Sequence, residues 1–504
     1  MVLVGVAVAV WAGWAAPARA TYGARTTADE PQYLLSALSL AEDGDLTISD
    51  ELSAERWRDF HAAELPVQTQ PLADGREVSP HDPLLPLLLA PGVAVGGWLG
   101  AKLVLAALAG VLASLLTWTA WRRFGVAPAT AAVVVGACAV SAPLVSYGTQ
   151  VYPELPGALA VAAAVAMLTG DLRRTRLVVG FALAVVALPW LSVKYAPVAA
   201  ALAVPGLWRI AAVRGRGSAL AVVGALAGAA AVFAAVHLAV YDGLTPYAAG
   251  DHFAGGELDV MGTEPDRLGR SVRLVGLLVD RDFGLVAWAP VWLLAVPALA
   301  ALVRRRPPGW ELLVLPLVAG WATATWVALT MHGWWWPGRQ VVVVLPGAVL
   351  AIAWWAGRVP VVRTLAAVAG VIGALSWGWL VVEVLRGDRT LVVDFAATSS
   401  PWFRAVHPLL PDGRAVASTR ALFVVWGVVV AALGWVGWRS VAPVARRGGS
   451  GRSGSGRGGS GRGGSGRGGS GRGGSGRGDE DAGAGEGPDA DVAAVDLDGD
   501  RAVR

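Results

Sequence analysis

The chain has 504 residues, of which 55% are hydrophobic and only 15% charged, and its mean hydropathy is +0.55. Soluble domains carry about a quarter charged residues, so the composition excludes a soluble globular protein and marks an integral membrane protein. The net charge of +4, from 41 Lys and Arg against 37 Asp and Glu, is too even to call for a nucleic-acid partner, and none is expected. The single cysteine, Cys138, lies in an apolar run and can form no intramolecular disulfide.

A helix crossing the hydrocarbon core needs about 20 apolar residues. Twelve such runs follow one another, over 2–20, 99–121, 126–146, 155–170, 177–191, 195–212, 218–240, 284–303, 311–330, 340–357, 362–385 and 419–439. The first begins directly after Met1 and lacks the positive leader of a signal peptide, so it reads as a retained helix. A further or re-entrant helix near 83–97 is where this count is most open to change. Arg122 and Arg123, then Arg173, Arg174 and Arg176, then Arg214 and Arg216, then Arg304 to Arg306, then Arg358 and Arg363 all fall on one side, which the positive-inside rule makes cytoplasmic. Both termini are then cytoplasmic and the long connections, 21–98, 241–283 and 386–418, lie outside.

The predicted fold is an all-α polytopic membrane protein of about 12 transmembrane helices over residues 1–440. Residues 445–504 differ in kind. Gly-Arg-Gly-Gly-Ser repeats precede an acidic stretch that starts at Asp479, a composition that buries no apolar surface and predicts a disordered cytoplasmic tail. Asp496, Asp498 and Asp500 hint at a calcium loop, but the glycine falls one place early and the closing Glu is absent.

No P-loop, GxSxG, HExxH or CxxC motif occurs, which leaves the outer loops to carry any chemistry. Asp29 and Glu30 stand a few residues past the first run. An amphipathic helix is predicted next, with Leu34, Leu35, Leu38 and Ala41 on its apolar stripe and Asp29, Tyr33 and Ser36 opposite. With Pro31 at a first helical position, either acid can serve as a cap; a carboxylate partly desolvated at the outer surface can equally act as a general base. Lys194, in Leu188–Pro197, is costly to bury in a membrane and needs an anion, a cavity or an escape to the surface. Arg339 precedes a helix start, where the dipole also favours an anion. Trp334 and Trp335 suit an interfacial belt or a sugar or prenyl groove. Glu154 opens another outer helix as a cap or an acceptor contact, and His81 with Asp82 lies near the site without making a convincing metal pair.

The string Asp29-Glu30-Pro31-Gln32-Tyr33, followed by Asp43-Gly44-Asp45, resembles the first periplasmic loop of GT-C glycosyltransferases, in particular the protein mannosyltransferase and aminoarabinose transferase group. Residues 188–197 and 332–346 are similar to that family's lysine-bearing turn and to its arginine before a Leu-Pro. The resemblance spans residues 1 to about 440. It implies Asp29 as the catalytic base with Glu30 beside it, Lys194 and Arg339 on the donor phosphate, and Tyr33, His81, Asp82, Glu154, Trp334 and Trp335 as candidate acceptor or groove residues. The expected function is transfer of a sugar from a polyprenyl-phosphate donor to an extracytoplasmic glycan, lipid or protein, on the outer face of the cytoplasmic membrane, with no metal or cofactor called for. The alternatives are a twelve-helix secondary transporter and a catalytically inactive GT-C-like scaffold. The absence of a repeat between the two halves, and the length of the first outer loop, favour the enzyme.

Overall fold

The computed structural model describes residues 1–251, 257 and 265–441, so the tail predicted for 445–504 lies outside the described residues. Every regular element described is helical. In chain order these are α1 Val2–Gly13, then α2 Glu30–Glu42 and α3 Ser49–Ser53 in the first outer loop, then α4 Leu84–Arg122, α5 Pro128–Ala139, α6 Glu154–Leu168, α7 Thr175–Leu191, α8 Ala196–Arg214 and α9 Arg216–Tyr241. Three short helices follow, α10 Arg267–Arg270, α11 Arg273–Val279 and α12 Leu285–Trp288. The chain continues through α13 Ala295–Arg305, α14 Glu311–Ala322, α15 Leu345–Ala356, α16 Pro360–Arg386, α17 Pro401–Val406 and α18 Val416–Arg439.

Each of the twelve predicted runs contains a helix, but only six helical stretches among the described residues are long and apolar enough to cross a membrane. The others are cut short by their own sequence. In the run 284–303, Pro290 cannot donate an amide hydrogen and clashes with the preceding turn. The chain there splits into α12, a 3-10 turn over Pro290–Leu294, and α13. The uncertain segment at 83–97 is helical as well. It forms the first arm of α4, which breaks at Gly96 and at Gly97, where φ is +55°. The two arms fold so closely that a Cβ on Gly100 would lie 2.0 Å from the Gly92 carbonyl oxygen, a gap only glycine leaves open. The first arm is too short to span, since a helix rises about 1.5 Å per residue against a core of about 30 Å.

All twelve residues of α15 are buried, so this helix runs through the middle of the bundle. The faces of α9 and α18 are the reverse, with Leu220, Val232, Val424 and Val428 more than half exposed. Apolar side chains turned outward from a well-packed interior are what a lipid-facing helix presents. The arginine-bearing connections lie at one set of helix ends. Asp29, Glu154, Lys194 and Arg339 lie at the opposite ends of the helices they adjoin.

Candidate active site

Asp29 is thrown inward by a strained neighbour. Ala28 holds a left-handed φ of +49°, a conformation that costs a non-glycine residue about 1 kcal/mol or more. Its carbonyl is fixed by a hydrogen bond donated from Gln68 Nε2 at 3.1 Å. Asp29 sits at the N-cap of α2 but caps nothing with its side chain. Its Oδ2 instead accepts from Arg339 Nη2 at 2.5 Å.

Glu30 is turned away from Arg339 and toward backbone donors. One of its carboxylate oxygens accepts from the Thr27 amide at 2.9 Å and the other from Val151 at 2.7 Å. Both Glu30 oxygens thus accept from backbone amides, of Thr27 ahead of α2 and of Val151 in the α5–α6 connection, while Asp29 is the one of the pair that meets Arg339.

Arg339 and Lys194 converge on one atom. Glu154 Oε1 accepts from Lys194 Nζ at 2.8 Å and from Arg339 Nε at 3.0 Å. Glu154 is fully buried at the start of α6, and its Oε2 has no partner among the described residues. The guanidinium lies over the Tyr152 ring at 4.1 Å and the Trp335 ring at 4.9 Å, two faces that hold its plane between the two carboxylates. The result is a chain of alternating charge, Asp29, Arg339, Glu154, Lys194, contributed by four parts of the sequence.

This chain borders a cavity of about 470 Å³, lined among others by Asp29, Tyr33, His81, Lys194, Trp335 and Arg339. Of the residues named from sequence, Trp334 is more than half exposed and does not line it, which fits an interfacial belt residue. Glu154 stands behind the two cations and carries their countercharge. Tyr33 stacks on the His81 ring with centroids 4.4 Å apart. Trp335 presents a buried indole N–H without a partner among the described residues. Glu257 lines the cavity too and accepts from the Leu244 and Thr245 amides.

Burial works against ionisation of Asp29, but the Arg339 guanidinium outweighs it, helped by His81 and Lys194, and holds the carboxyl well below the usual carboxylate range. A lowered folded pKa means the unfolded chain binds the proton first as pH falls, so the stability Asp29 confers is complete above about pH 4 and lost below it. The stability gap between the wild type and Asp29→Asn should narrow progressively as pH falls below about 4. Chemical denaturation at stepped pH checks this.

Asp82 does not reach the cavity. It is buried, which pushes its carboxyl up. Its Oδ2 accepts from the Val193 amide at 2.9 Å, and its Oδ1 faces His237 Nε2 at 3.2 Å. His237 Nδ1 lies 2.8 Å from the Phe233 carbonyl, which can only accept, so Nδ1 donates there and Nε2 is the nitrogen that meets Asp82. This couple pins the turn that presents Lys194. Asp82→Ala should loosen that turn and lower the stability of the protein, whereas Asp82→Asn, which can accept from Val193 and donate to His237, should stay near wild type. Denaturation of the two variants checks this. Sequence gave no sign of the contact, since 155 residues separate its partners.

No protein-family model matches this chain, and no curated protein matches it. Among solved structures, ArnT from Cupriavidus metallidurans bound to undecaprenyl phosphate is similar over 87% of this chain and 77% of its own, at 14% identity and a TM-score of 0.47. At that level of likeness the chemistry of the site rests on this chain's own residues.

Proposed function

We propose that the protein is a GT-C-like membrane glycosyltransferase that moves a sugar from a polyprenyl-phosphate donor to an acceptor on the outer face of the cytoplasmic membrane. The observation that carries this reading is the meeting of Lys194 and Arg339 on one buried carboxylate oxygen at the edge of the cavity, with Asp29 on the far side of the guanidinium. Two fixed cations in a low-dielectric site suit a phosphate, and they stabilise the charge it gains as the bond from sugar to phosphate oxygen breaks. Asp29 takes the acceptor's proton as the acceptor oxygen bonds to the anomeric carbon, and polyprenyl phosphate leaves. The phosphate also has a second effect. By competing for Arg339 it frees Asp29 from its ion pair and raises its basicity, so the base is switched on by donor binding.

The membrane tail of such a donor has a matching place. An apolar cleft of about 380 Å³, lined by Trp292, Trp321, Trp326 and several leucines, lies beside the cavity. The turn of chain that separates them, Thr323–Val327, offers Trp326 to the cleft and Thr323 and Val327 to the cavity. The charged groups stand at helix ends, whereas a secondary transporter binds its substrate near the bilayer midplane, so the enzyme is the better reading. Both termini and the arginine loops are then cytoplasmic. The test is to supply proteoliposomes containing the protein, and membranes as acceptor, with a panel of radiolabelled polyprenyl-phosphate sugars. Label transfer together with release of polyprenyl phosphate is expected with at least one sugar; label that moves across the bilayer without transfer would instead identify a transporter.

A further inference from the structure

The first outer loop holds a second group of carboxylates, away from the ion chain. Asp43 follows the last turn of α2, and Asp50 and Glu51 lie in the first turn of α3. One oxygen from each of the three lies within 4.8 Å of the others. Asp43 and Asp50 are exposed, but Glu51 is only 2% exposed, and neither of its carboxylate oxygens has a hydrogen-bond partner among the described residues. The nearby cation, Arg56, is already engaged by both oxygens of Glu42 at 2.8 Å each. The group is therefore a cup, with an unsatisfied carboxylate at its floor and two solvated ones at its rim.

We propose that Asp43, Asp50 and Glu51 bind a divalent cation, and that the cation is calcium. Buried polar groups are almost always satisfied, and a carboxylate with no donor for either oxygen calls for a positive partner. The ligands are all hard oxygens, without a histidine or cysteine to favour zinc or copper. Calcium takes six to eight oxygen ligands in a flexible shell, whereas magnesium demands near-octahedral geometry at about 2.1 Å and retains most of its water. The exposed rim leaves room for the water ligands that complete a calcium shell. The ion would tie the end of α2 to the start of α3, next to the Ser39 hydroxyl that donates to the Thr47 carbonyl at 2.8 Å. Because α2 begins directly after Asp29, the ion would brace the far end of the helix that carries the candidate base. The site itself does not depend on the transferase reading.

The full-length protein in nanodiscs, stripped with EDTA, is titrated with calcium or magnesium chloride while bound ⁴⁵Ca and the unfolding temperature are measured. One high-affinity calcium per chain is expected, with a rise of roughly 5 °C at 100-fold excess over Kd and a smaller rise with magnesium. Glu51→Gln should bind calcium at least about tenfold more weakly and lose the rise, yet without calcium unfold no lower than wild type, because glutamine keeps the shape of a side chain whose oxygens have no hydrogen-bond partner among the described residues. Asp43→Asn, on the exposed rim, should likewise weaken binding with its fold intact. The proposal is overturned if calcium leaves the unfolding temperature unchanged, or if Glu51→Gln and Asp43→Asn bind and respond as the wild type does, which would move the ion elsewhere in the chain or reduce Glu51 to a protonated buried acid.

Discussion

Replacing Asp29 by Asn should lower the rate of sugar transfer by about 10²- to 10⁴-fold, the span that a positioned general base contributes, and should at the same time tighten binding of the donor phosphate. The second half of this expectation distinguishes the account from a simple loss of a catalytic group. In the resting site Arg339 Nη2 is bonded to Asp29, so an incoming phosphate must compete with that carboxylate. Asparagine keeps the shape and removes the charge, leaving the guanidinium freer to meet a phosphate while no group remains to take the acceptor's proton. Transfer kinetics and equilibrium binding of undecaprenyl phosphate, measured on the same preparation, should move in opposite directions. A fall in both would make Asp29 part of the phosphate site rather than the base.

The largest stability effect is expected at Arg339. Its side chain is 8% exposed and touches Asp29 and Glu154 at once, so Arg339→Ala leaves two carboxylates facing only Lys194. Removing one partner of a buried ion pair costs about 3 to 5 kcal/mol, because the charge left behind is uncompensated. Arg339→Lys should recover little, since an ammonium cannot spread its donors to two acceptors from between the rings of Tyr152 and Trp335. Adding Glu154→Gln to Arg339→Ala should restore part of the stability by returning the cluster to one positive and one negative charge, without restoring transfer. Denaturation of the single and double variants, as a thermodynamic cycle, measures this coupling. Additive effects would mean that the guanidinium and Glu154 do not depend on each other.

How legible these features were depended on the distance over which each residue acts. That each apolar run holds a helix, and that Asp29, Lys194 and Arg339 stand away from the arginine-bearing connections, follow from hydropathy and arginine placement, which are local properties. Lys194 and Arg339 stand out because a charge beside an apolar run is costly and so needs a reason. Glu154 was harder to read: an acid after a proline at a helix start has the same pattern whether it caps the helix or, as here, neutralises two cations. The amphipathic pattern of α2 identified Leu34 and Leu35 as core and Asp29 and Tyr33 as the opposite face. It could not show that Tyr33 and Ser36 on this opposite face are buried too, or that Asp29 and Tyr33 border a cavity shared with the Lys194 turn and the 323–340 segment. Asp82 with His237, and Glu257 with Thr245, carry no periodic signal and emerge only once the chain is folded. Glu51, in a short polar segment, reads from sequence as a solvated acid, and only its burial without a partner sets it apart.

The central claim, that Lys194 and Arg339 form a seat for a lipid phosphate, is tested most directly by equilibrium binding of undecaprenyl phosphate to the purified protein in nanodiscs, comparing the wild type with Lys194→Gln and Arg339→Gln. The account predicts saturable binding by the wild type and a loss of at least about tenfold in affinity in each variant, on the scale of one charge-assisted hydrogen bond. Equal binding by all three proteins would contradict it and leave the ion chain as a structural clasp.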